Sequence, residues 1–87
     1  MYHFLVILKI FYYSGKFMMN YDIIKQRLKQ EIETSGVTKN EIANAVGITP
    51  EMVTQYCTTK KLPKLDTFAE ICKFLNLDAN YVLGLTD

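Results

Sequence analysis

The stretch EIANAVGITPEMVTQYC, from Glu41 to Cys57, constrains the fold more than any other part of the chain. Two short apolar-periodic segments meet at Gly47, and the second opens Thr49-Pro50-Glu51. Glycine reaches positive φ without a steric penalty, so it suits the end of a helix. Threonine is a favoured N-cap, and proline is tolerated at the first helical position, where its missing N–H has no intrahelical role. One helix therefore stops and another starts with three residues, Gly47 to Thr49, between them. Helices joined so tightly cross at roughly 90–120°. Ala43 supplies a small residue at the crossing, and Val53 an apolar one pointing back into the corner. On the second helix Val53 and Tyr56 share one side, flanked by Met52 and Cys57, while Glu51, Thr54, Gln55 and Thr58 fall on the other. That outer side is polar but hardly charged, and a helix held out in this way fits the major groove of DNA.

The rest of the chain after Met19 reads as helices and short turns, five helices in all and no strand. Ile24, Leu28 and Ile32 repeat every four residues over about Tyr21 to Thr34 and face inward, with Lys25, Lys29, Glu31 and Glu33 largely elsewhere. Gly36 closes that helix. Thr38-x-x-Glu41 is a capping box that opens the next one, with Ile42 and Val46 inward. After the loop KKLPK, Lys60 to Lys64, a fourth helix runs from about Leu65 to Leu75 with Phe68, Ile71, Cys72 and Leu75 inward. Asn76 is its left-handed stop, and Asp78 caps a last short helix holding Tyr81, Val82 and Leu83.

An 87-residue chain has room for one small core. No Gly-rich phosphate loop and no Ser/His/Asp arrangement is present, so an enzyme has no constellation behind it. His3 is the only histidine. Cys57 and Cys72 form no CxxC pair, which leaves no zinc motif and reads as two small core residues in a reducing cytoplasm. No cofactor is expected.

Residues 1–18 form an apolar leader distinct from the domain expected over residues 19–87. Met1 to Phe17 is aromatic and contains no acid. Three readings stay open for it: a signal or anchor, a segment that packs on a partner chain, or a stretch that is not native. The apolar run from Phe4 to Tyr13 is about half a bilayer span and carries Lys9, which argues against a membrane helix. Met18 and Met19 directly precede the first helix, and translation is expected to start at one of them. The intact mass of the protein from its native host tests this.

The stretch GVTKNEIANAVGITPEMVTQYCTTKKLPKLDTFAEICKFLNLDANYVLGLTD resembles the phage repressor and Cro helix-turn-helix family, also called the Xre type. The resemblance covers about Asn20 to Asp87. Its specific parts are the Thr38–Tyr56 motif, the fourth helix LPKLDTFAEICKFLNL and the close YVLGLTD. It implies an all-α, five-helix, lambda-repressor-like domain that dimerises and binds double-stranded DNA at an operator with two half-sites. It also assigns roles. Lys39, with Asn40 beside it, would contact phosphate at the start of the second helix. Pro50, Glu51, Thr54 and Gln55 would read bases. Thr58, Thr59, Lys60 and Lys61 would touch the backbone after the recognition helix. Gln55 fits a bidentate pairing with adenine, Glu51 can accept from cytosine N4, and Pro50 offers apolar contact to a thymine methyl. Cys57 and Thr59 depart from the family's usual residues at the helix end.

From Met19 onward eight basic residues stand against nine acidic ones, but between Val37 and Lys64 the balance is four basic to two acidic. The surface expected to meet DNA is thus mildly positive on a mildly negative body, which implies few phosphate contacts per subunit and a need for dimerisation. The reading is a cytoplasmic, sequence-specific transcriptional regulator, a repressor acting as a homodimer. The alternatives are an antitoxin-type regulator with a toxin partner and a protein-interaction module that has lost DNA binding.

Overall fold

The computed structural model describes residues 19–87. The expectations for the apolar leader, residues 1–18, lie outside the described residues. Within them the chain forms α1 (Asn20–Thr34), α2 (Lys39–Val46), α3 (Pro50–Thr58), α4 (Leu65–Leu75) and α5 (Ala79–Val82), with no strand. The all-α, five-helix architecture expected from the sequence is the one observed.

Local chemistry accounts for each boundary. The Thr38 hydroxyl accepts from the Glu41 N–H at 3.1 Å, and the Glu41 carboxylate accepts from the Thr38 N–H at 3.2 Å, so the capping box opens α2 from both sides. Gly47 closes it at φ +77°, and its N–H donates to the Ala43 carbonyl at 2.9 Å. A Cβ on Gly47 would meet nothing within 4 Å, so the backbone conformation, not crowding, calls for glycine there. Thr49 caps α3 by accepting from the Met52 N–H at 3.2 Å, with Pro50 at the first position. Asn76 ends α4 in the left-handed region at φ 55°. Asp78 accepts from the Asn80 and Tyr81 N–H groups to start α5.

The core follows from these boundaries. Leu28 and Ile32 of α1, Ile42 and Ala43 of α2, Val53, Tyr56 and Cys57 of α3, Phe68, Ile71 and Cys72 of α4, and Val82 of α5 form one buried cluster. Helix α3 packs on both α2 and α1, α2 also packs on α4, and α5 lies against α1. Ala43 is fully buried beside α3, as the tight corner requires. Leu75 is half-buried against the cluster. Ile24 departs from expectation: it is half-buried and outside the central cluster, because α1 turns two flanks to different neighbours. Tyr21, Lys25, Leu28 and Ile32 make one stripe, directed at α3 and the loop that follows it. On the other flank Ile23 meets the C-terminal segment, where a Cβ on Gly84 would lie 3.2 Å from Ile23 Cγ2. Gly84 is at φ +78°, so both the backbone and the close approach select glycine.

Candidate nucleic-acid interface

The corner between α2 and α3 decides which side of α3 faces out. Val53 is fully buried, and Tyr56 and Cys57 are buried with it. A helix with those three positions turned inward must present Glu51, Thr54, Gln55 and Thr58 outward, and all four are exposed. Pro50 and Met52 are half-buried at the edge of this face. The four residues expected to read bases, Pro50, Glu51, Thr54 and Gln55, thus lie together within the first six positions of the nine-residue α3, with Pro50 the least accessible of them.

The residues expected to touch phosphate fall on two sides of that face. Asn40 is exposed at the start of α2, and Lys39 beside it is half-buried. Thr58, Thr59, Lys60 and Lys61 are all exposed at the end of α3 and in the loop after it. The hydroxyls among them are already engaged. Thr58 donates to the Thr54 carbonyl at 2.9 Å, and Thr59 donates to the Gln55 carbonyl at 2.7 Å. Thr59 also accepts from the Lys61 N–H at 3.1 Å, so it works mainly as a clasp on the helix end. The exposed cations directly after α3 are the Lys60 and Lys61 side chains, with Lys64 exposed at the far end of the loop.

The structure adds two residues of α1 to this region: Lys25, expected among the charges facing away from the core, and Tyr21, for which the sequence suggests no role. The last turn of α3 contains no basic residue to meet its exposed carbonyls. Helix α1 supplies one: the Lys25 ammonium donates to the Tyr56 carbonyl at 2.5 Å and to the Lys61 carbonyl at 2.6 Å. One turn earlier on the same stripe, the Tyr21 hydroxyl donates to the Lys60 carbonyl. Two side chains of α1 thereby hold the backbone of the two loop lysines while their side chains stay free. The signal was present in the spacing, since Tyr21 and Lys25 continue the Leu28–Ile32 stripe, but a lysine on an apolar stripe reads as a charge at its margin.

Electrostatics around this joint follow from partial burial. Burial pushes the Lys25 pKa down, and interaction with Cys57 pushes it back up. Burial raises the Cys57 thiol, which the neighbouring Lys39, Lys25 and Lys29 partly offset. Cys57 therefore stays a neutral thiol in the core at the foot of α3, and both cysteines are free and buried. A groove of about 370 Å³ lies elsewhere, between the end of α1 and the turn joining α4 to α5, lined by Glu31, Thr34, Val37, Phe74 and Asp78 among others. It includes none of the residues of the α3 face. Among the described residues no helix is long and apolar enough to cross a membrane.

Comparison with known proteins agrees with this geometry. A helix-turn-helix family model matches residues 28–82. An uncharacterised HTH-type transcriptional regulator of Bacillus subtilis (strain 168), YobD, is 31% identical over 62 residues, which cover 71% of this chain and 55% of the relative. The chain thus spans about half the length of that relative. No solved structure matches the chain. With its α2–α3 corner, its outward polar α3 face and a family match running from α1 to α5, the chain belongs to the Xre-type helix-turn-helix family.

Proposed function

We propose that the protein is a sequence-specific DNA-binding transcriptional regulator that occupies an operator as a homodimer and acts as a repressor. The observation that carries this reading is the division of α3 into a buried side, Val53, Tyr56 and Cys57, and an exposed polar side, Glu51, Thr54 and Gln55. A polar helix face that packs on nothing among the described residues has the width and the chemistry of a major-groove reader. Lys60 and Lys61 sit just past its C-terminal end, where phosphates flank the groove. In a dimer, two such helices would address half-sites about one helical turn apart, roughly 34 Å.

Selection of bound duplexes from a random pool by the full chain tests the proposal, followed by titration of the selected duplex. Gln55→Ala should lower discrimination at one base position by about 1–3 kcal/mol. Lys61→Ala should weaken all sequences alike and reduce the salt slope by about 1. A pool without an enriched sequence, or equal losses on every sequence in both variants, would overturn the assigned roles.

A further inference from the structure

The exposed face of α3 is unusual in what its side chains can donate. The Thr54 hydroxyl donates to the Pro50 carbonyl at 3.2 Å, and the Thr58 hydroxyl to the Thr54 carbonyl at 2.9 Å. At the helix end the Thr59 hydroxyl donates to the Gln55 carbonyl at 2.7 Å. Each hydroxyl has one hydrogen, so each of these oxygens is left with acceptor capacity only, and each threonine also presents a methyl group. Glu51 adds a carboxylate, which accepts, and Pro50 adds an apolar ring with no donor. The Gln55 amide is then the one side-chain donor on the exposed face from Pro50 to Thr58.

Base edges differ in what they ask of such a surface. In the major groove guanine shows two acceptors, N7 and O6, and needs donors opposite. Cytosine and adenine show exocyclic amines, and thymine shows a methyl group. We propose that this face reads its operator through exocyclic amines and thymine methyls, with guanine edges left unread. Glu51 and the Thr54 oxygen accept from amines, the Thr54 methyl and the Pro50 ring pack on thymine methyls, and Gln55 makes the single donor contact, to adenine N7. The proposal rests on the DNA-binding function above and specifies the ligand chemistry of the same face.

Base analogues placed in the selected duplex test it with the full chain. Replacing every guanine by 7-deazaguanine removes N7 from each guanine edge and should leave affinity within about twofold, since no contact there depends on it. Replacing the adenine opposite Gln55 by 7-deazaadenine should weaken binding about tenfold, as expected for half of a bidentate pair. Replacing thymine by uracil should weaken binding about fourfold for each contacted methyl. Thr54→Ser, which keeps the hydroxyl and removes the methyl, should abolish the difference between thymine and uracil at one position. Thr54→Val, which keeps the methyl and puts a second one in place of the hydroxyl, should preserve that difference. A tenfold loss with 7-deazaguanine, or insensitivity to uracil throughout, would overturn the base chemistry while leaving a sequence-specific regulator in place. Failure of the pool to yield any preferred duplex would instead overturn the DNA-binding function itself, and this proposal with it.

Discussion

Lys25 and Arg27 stand two residues apart on α1, and each ties a distant segment to it through backbone carbonyls. Lys25 donates to the carbonyls of Tyr56 and Lys61, at the end of α3 and in the loop beyond. Arg27 donates to the carbonyls of Tyr81 at 2.6 Å and Thr86 at 2.7 Å, and its guanidinium lies 4.2 Å from the centre of the Tyr81 ring. The two clamps are alike in chemistry: a cation on a rigid helix meets one carbonyl in the last turns of another helix and one in the segment just beyond it. They differ in what they hold. One fixes the backbone that displays Lys60 and Lys61. The other fixes the C-terminal segment, which contributes no residue to the α3 face. A change at each clamp should therefore separate a loss of stability from a loss of the proposed phosphate contacts of Lys60 and Lys61.

The largest effect is expected at the C-terminal clamp. Arg27→Ala removes two charge-assisted hydrogen bonds and a cation–π contact, and should cost about 3 kcal/mol in urea unfolding. DNA affinity, measured where the variant remains folded, should be unchanged. Lys25→Met should cost less stability, about 2 kcal/mol, because the stem still packs while the two carbonyls lose their donor. Unlike the arginine variant, it should reduce the salt slope by up to about 2, one for each loop lysine no longer held at the backbone. Equal salt slopes in the two variants would erase the distinction. Tyr21→Phe removes only the bond to the Lys60 carbonyl and should cost about 1 kcal/mol or less, with a small change of slope in the same direction as the lysine variant.

The smallest expected effect is a pH dependence, and it touches the Lys25 clamp through Cys57. Burial raises the thiols of Cys57, close to Lys25, and Cys72, where Asp78 raises it further, above the ordinary value of 9.0. The unfolded chain loses these protons first, so the contribution is fully present below pH 9.0 and is lost as pH rises from there through the folded values. Lys25 acts in the opposite sense: its folded pKa is lowered, so its own linkage raises stability as pH climbs toward 10.5. Cys57→Ala should therefore flatten the alkaline loss of stability by less than about 1 kcal/mol, read as the change in slope with pH above 9 and not as the stability at one pH.

The sequence reading succeeded where one residue acts through its own backbone or its immediate neighbours. Thr38 with Glu41, Gly47, Thr49 with Pro50, Asn76 and Asp78 each mark a helix end by local chemistry, and each end lies where those residues place it. The exposed placement of Thr54 and Gln55 was legible for the same reason, since burying Val53 and Tyr56 leaves a helix only one other side. What the sequence hid was the work of α1. Its stripe of Ile24, Leu28 and Ile32 was one position too simple, because two different segments pack on its two flanks.

The five helices, their order and the outward side of α3 are thus readable from residue order alone, because capping, glycine φ and helical periodicity operate within a few residues. It took long-range packing to set Tyr21 and Lys25 on the loop after α3 and Arg27 on the C-terminal segment, and to turn the hydroxyl of each face threonine onto its own helix. Periodicity puts Tyr21 and Lys25 on the inward stripe of α1, but it does not name partners that lie 31 to 59 positions away in the chain. The rotamer of a threonine on a helix is chosen between near-equal wells by its surroundings, and neither can be read from the order of residues.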